Sequence, residues 1–217
     1  MRIIDPSFEI LSFPTNALEN IEAAARTCYK SEGQVKPGSA GKLAKKLKTA
    51  NHGAMLEFAD ATVRFICSRG VSHELVRHRL CSFAQESTRY CNYSHDRFNG
   101  EVTVVRPLWV DPRTVPCCAH YLPDYIPDID DASRVWINDM HQHENSYLRL
   151  ISYGLKAQEA RGVLPIDLKT EIVVKANLRE WLHVFELRCA SAAHPEMVRL
   201  MAPLRDEFTR LCPEVFK

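Results

Sequence analysis

The chain has almost no net charge: 28 lysines and arginines stand against 27 aspartates and glutamates over 217 residues, a formal +1. That balance excludes a global field able to draw in nucleic acid or an anionic membrane, so any positive potential must be local. No apolar run approaches the roughly 20 residues of a membrane span, and the opening Met-Arg-Ile-Ile-Asp-Pro has no signal-peptide core. The expectation is a cytoplasmic protein that binds neither nucleic acid nor membrane. The eight cysteines include no Cys-x-x-Cys pair; in a reducing compartment most of them read as small buried hydrophobes, without disulfides or a metal site. No Gly-x-Gly-x-x-Gly follows a strand pattern, so a flavin or nicotinamide would have to bind without a Rossmann crevice. Gly38-Ser39-Ala40-Gly41-Lys42 lacks the spacing of a phosphate loop.

Lysine is missing from a long central stretch. Between Lys48 and Lys156 there are ten arginines and no lysine. Arginine is favoured where geometry or partial burial matters, although such runs are also ordinary surface. The densest part is Arg77-His78-Arg79-Leu80-Cys81-Ser82-Phe83-Ala84-Gln85-Glu86-Ser87-Thr88-Arg89-Tyr90. Three planar guanidinium groups beside short hydroxyl and amide side chains form an inventory for oxyanions, and a phosphorylated small molecule is the guest it suits.

The hydrophobic pattern predicts an α+β fold in one domain spanning 1–217, with a mixed or antiparallel sheet packed by helices. Residues 2–13 read as extended. Helices are expected from Thr15 or Asn16 through Cys28 and from Ala40 to Asn51, with Gly53 at a left-handed terminator. Alternation predicts a strand from Asp60 to Ser68, and Ser72 is placed as the cap of a short helix. A strand at Val102–Arg106 precedes a proline-dense loop; a long helix follows from Asp130 or Asp131 to Tyr153. A strand near 172–175 and helices at 178–189 and 195–211 complete the chain, with Pro203 expected to kink or split the last.

Trp181, Val184, Phe185 and Arg188 fall on one helical stripe, so a cation ends an apolar face. Burying it without a partner is costly; either a carboxylate pairs with it or it points into a cleft where a ligand does so. Asn177, Arg179 and His183 gather at the start of the same helix, where anions are favoured. Two other groups carry less. His141 and His143 diverge by about 200° on a helix, poor chelation geometry, and read as surface residues. Cys117, in Pro116-Cys117-Cys118-Ala119-His120, has the form of an activated nucleophile, yet its surroundings favour an inert cysteine.

Arg77-His78-Arg79, followed after seven residues by Ser87-Thr88-Arg89-Tyr90, resembles the signature of the flavin-dependent thymidylate synthases. The resemblance extends through Ala25 to Ser31, His52 to Glu57, Ala160 to Pro165 and Asn177 to Arg188. It implies a homotetramer with active sites where subunits meet, which answers the missing Rossmann motif. It implies FAD as cofactor, NADPH as reductant, methylenetetrahydrofolate as one-carbon donor and dUMP as substrate, converted to dTMP. By the same resemblance FAD would be held by Arg77, His78, Arg79, Gln85, Asn177, Arg179 and His183. The nucleotide would be held by Glu74, Arg77, Gln85, Ser87, Thr88, Arg89, Arg161 and Arg188, with Arg188 as the catalytic cation against the uracil edge. Ala54, Phe58, Ala84 and Ala192 depart from residues that relatives place near the flavin.

Overall fold

The computed structural model describes residues 1–117 and 129–217. Cys118 and His120 of the Pro-Cys-Cys-Ala-His run, and the later prolines of its loop, lie outside them. Six strands and eight α-helices are formed among the described residues, as expected for α+β: β1 (Arg2–Ile4), β2 (Ser7–Ser12), α1 (Ala17–Tyr29), α2 (Ser39–Thr49), β3 (Asp60–Ser68), α3 (Arg69–Leu75), β4 (Ser82–Gln85), β5 (Thr103–Val105), α4 (Asp131–Ser152), α5 (Ala157–Ala160), β6 (Lys169–Asn177), α6 (Leu178–Arg188), α7 (Pro195–Leu211) and α8 (Pro213–Phe216). β1 pairs parallel with β5, Ile3 opposite Val104. The other four strands form a sheet in the order β2-β3-β6-β4.

The chain divides into two compact units that alternate along the sequence: residues 1–7, 66–75 and 85–172 form one, and residues 8–65, 76–84 and 173–217 the other. In the first, α4 supplies Trp136, Ile137, Met140 and Tyr147 to a core with Ile3, Val102, Val104 and Leu168. Asp130 caps this helix by accepting from the Ser133 backbone N–H at 2.9 Å, which satisfies one orphan donor. In the second, Trp181 stacks on Phe185 with ring centroids 5.7 Å apart and meets Phe208 at 5.2 Å. Its indole N–H donates to the Ala61 carbonyl at 3.1 Å, so the large ring is buried without an unpaired donor.

Several local expectations need correction. Gly53 has no positive φ; the left-handed residue after α2 is Asn51, φ 56°. Ser72 lies inside α3, fully buried; its hydroxyl donates to the Arg69 carbonyl at 2.9 Å, so it caps nothing. The strand expected near 172–175 is longer, since β6 runs from Lys169 to Asn177. Helix α7 continues through Pro203 without splitting. His141 and His143 are half-buried, not surface residues: His143 Nδ1 lies 2.7 Å from the Val163 carbonyl, and His141 lies beside the buried Glu144.

Candidate active site

In the first unit, the turn after β4 is fixed by the residue that precedes it. Glu86 donates its backbone N–H to the Glu171 carbonyl at 2.8 Å, and its own carbonyl accepts from Arg69 Nη1 at 3.1 Å. Its carboxylate takes the Tyr93 hydroxyl at 3.0 Å and Lys169 Nζ at 2.9 Å. Burial and the neighbouring Glu86 charge push the Tyr93 phenol up, so it acts as a donor. Ser87 to Tyr90 then turn sharply, with the Tyr90 and Cys91 backbone N–H groups both donating to the Ser87 carbonyl. Thr88 is buried, and its Oγ1 accepts from Arg161 Nη1 at 3.3 Å. Arg161 comes from 73 residues further along the chain; no carboxylate pairs with it or with Arg89 among the described residues. Two guanidinium groups and two hydroxyls, Ser87 and Thr88, therefore share one turn region, and the nearby Glu86 carboxylate is taken up by Tyr93 and Lys169.

Gln85, assigned to ligands by the resemblance, spends its amide N–H groups inward, on Ser72 Oγ at 2.8 Å and Thr170 Oγ1 at 3.2 Å. Its carbonyl is the atom left to accept. Glu74 is half-buried on α3.

In the second unit, Arg77 and Arg79 are exposed while His78 between them is buried. Neither arginine has a partner among the described residues. His78 Nε2 accepts from Arg188 Nε at 2.9 Å, and its ring meets that of His183 edge to face at 6.0 Å. Burial, then the Arg188 charge, then His183 push the His78 imidazole down to about 4, so it is neutral at physiological pH. Arg188 does end the apolar stripe, half-buried below Trp181, Val184 and Phe185.

Helix α6 opens with Asn177, whose Oδ1 caps it by accepting from the Glu180 N–H at 2.8 Å. A cavity of 530 Å³ is lined by Asn177, Arg179, His183, Glu180, Glu57 and Leu80. Arg179 Nη1 lies 2.7 Å from Glu57 Oε1. A Cβ on Gly53 would come within 3.0 Å of Arg179 Nε, so the glycine keeps open the path of that side chain. Beyond Arg179 lies a mainly apolar cavity of 380 Å³ that includes Ala25, Leu47, Ala54, Met55 and His52. Glu57 and Glu180 were not foreseen as site residues. Glu57 stands 122 residues from its arginine, and no local pattern signals such a pair.

The family model of the thymidylate synthase complementing protein matches residues 9–214. The flavin-dependent thymidylate synthase of Corynebacterium glutamicum is 30% identical over 90% of this chain and 77% of its own length. That of Geobacter sulfurreducens is 29% identical over 91% and 79%, and that of Pyrococcus furiosus 28% over 93% and 78%. The fold is shared with a UMP/dUMP methylase, PolB from Streptomyces cacaoi, solved with 5-Br dUMP: the TM-score is 0.77 at 21% identity, covering 100% of this chain and 95% of that one. With a family match over nearly its full length, the chain belongs to the flavin-dependent thymidylate synthases.

Proposed function

We propose that the enzyme methylates dUMP at C5 to give dTMP, with methylenetetrahydrofolate as one-carbon donor and NADPH as the source of reducing equivalents. The observation that carries this reading is the turn at Ser87 to Arg89, where Arg161 reaches Thr88 and, among the described residues, no carboxylate pairs with either guanidinium. Such a site is built for a phosphate that arrives with the ligand. Ser87 and Thr88 add hydroxyls for the phosphate or sugar, and the Gln85 carbonyl adds an acceptor.

The donor set of the second unit fits FAD. Two exposed arginines without partners among the described residues, Arg77 and Arg79, suit a pyrophosphate. Asn177, Arg179 and His183 line one cavity, and a mainly apolar one adjoins Arg179. Bound flavin supplies reducing equivalents; the protein supplies binding, orientation and charge. Arg188 stabilises negative charge that develops at the pyrimidine edge, and its held guanidinium needs no reorganisation to do so. Because the sequence carries no Gly-x-Gly-x-x-Gly motif, a homotetramer in which subunits share the sites, each chain one catalytic domain over 1–217, completes the reading. The test is turnover of dUMP against UMP by purified protein given FAD, NADPH and methylenetetrahydrofolate. Formation of dTMP supports the reading, and preference for UMP replaces the substrate while keeping the chemistry.

A further inference from the structure

We infer that Glu180 is a positioning residue that orients Arg188 by fixing the tautomer of His78. The inference rests on the reading of Arg188 as the cation at the pyrimidine edge. Glu180 belongs to the first turn of α6 and is only 6% exposed. No lysine or arginine pairs with it among the described residues; the groups that approach its Oε1 are His78 Nδ1 at 3.7 Å and the Cys81 thiol at 4.0 Å. The helix dipole favours an acidic residue in this first turn, but burying its carboxylate without a paired cation is costly.

What it faces explains it. The Nε of arginine carries a hydrogen and has no acceptor capacity, so the 2.9 Å contact with His78 makes Nε2 the acceptor. The ring is neutral, hence its one proton sits on Nδ1, the nitrogen turned toward Glu180. At 3.7 Å the carboxylate is beyond hydrogen-bond length, but its charge in a poorly solvated place lowers the energy of the tautomer that puts N–H on its side. Such contacts also commonly shorten once ligands close the site. Glu180 and Arg188 are eight residues apart, so both lie near one face of α6, about 12 Å along its axis. His78 bridges them from outside the helix. With the proton held on Nδ1, the ring accepts from Nε of Arg188 and helps set the plane of its guanidinium; with the proton on Nε2, two donors would meet and this contact would be lost.

The test uses full-length enzyme with histidine labelled by 15N, in wild type, Glu180→Gln and Glu180→Leu. Long-range proton–nitrogen correlation spectra near pH 7 should show His78 protonated on Nδ1 in the wild type, with that preference lost in both variants. Kinetics should show kcat down about tenfold or more, KM for dUMP within about threefold, and FAD retained. Glu180→Gln keeps the shape of the side chain and serves if Glu180→Leu does not fold. A wild-type His78 protonated on Nε2, or variants that keep both the Nδ1 tautomer and the wild-type kcat, would overturn the inference; so would equal losses in kcat and dUMP binding with the tautomer unchanged. If the wild type forms no dTMP, the functional reading fails, while the spectra still decide whether Glu180 sets the tautomer.

Discussion

Cys117 donates its thiol hydrogen to Asp5 Oδ2 at 2.8 Å, and Asp5 is held by Arg106 through contacts of 2.6 Å to both carboxylate oxygens. Partial burial and the Asp5 hydrogen bond push the thiol up, away from the thiolate that a nucleophile needs. The cysteine serves a structural network. Cys117→Ser keeps a donor for Asp5 and should keep most of the activity, as measured by initial rates of dTMP formation. A folded, flavin-loaded variant that cannot turn over dUMP would mean a covalent mechanism at Cys117.

Arg89→Ala and Arg161→Ala each remove a guanidinium from the turn at Ser87. Each should weaken dUMP binding by roughly 1.5 to 3 kcal/mol, the range for a hydrogen bond to a charged group, while FAD stays bound. Calorimetric titration with dUMP measures this. Unchanged affinity in either variant would remove that residue from the nucleotide site.

Asn177 has two duties that a single substitution can separate. Its Oδ1 caps α6, and the amide N–H groups are what it can offer a flavin. Asn177→Asp keeps the cap acceptor and loses the donor, so the melting temperature should hold while FAD affinity falls. Asn177→Ala should lose about 1 kcal/mol of stability as well. Equal FAD affinity in wild type and Asn177→Asp would assign the residue to capping alone.

The arginine-rich run from Arg77 to Tyr90 and the apolar stripe ending in Arg188 are legible in the sequence because each is written in local spacing; the sharp turn at Ser87 and the approach of Arg161 from 73 residues away are not. Strand β3 was read at its observed limits, since strict alternation over nine residues admits one pairing face. Ser72 was misread because a serine just before an apolar helical pattern looks like a cap; that it is instead buried and meets Gln85 depends on a tertiary contact. Glu180 escaped notice for a similar reason. A glutamate in the first turn of a helix is what the helix dipole favours anyway, and only folding shows that it is buried beside His78.

The neutral state of His78 has a consequence for stability. Its folded value of about 4 lies below the 6.5 of an unperturbed histidine. The unfolded chain therefore binds the extra proton first, and the contribution is complete above 6.5 and lost as pH falls toward 4. Burial first, then the Arg188 charge, then His183 oppose protonation of the ring in the folded state. Denaturant unfolding of the wild type should lose roughly 2 to 3 kcal/mol from this group between pH 6.5 and pH 4, whereas His78→Gln, which keeps an acceptor for Arg188, should lose that much less. Parallel pH profiles would contradict the assignment.

Arg188→Lys keeps the charge and loses both the planar fork and the Nε donor to His78. Turnover should fall far more than dUMP affinity, read from kcat and from equilibrium titration. Equal losses would make Arg188 a binding residue only.

The central claim is tested most directly by an anaerobic single turnover. Protein loaded with FAD and reduced by one equivalent of NADPH is mixed with dUMP and methylenetetrahydrofolate, and the nucleotide product is quantified. The account predicts about one dTMP per flavin, formed as the flavin absorption returns. Fully reduced, nucleotide-bound enzyme that forms no dTMP would contradict it.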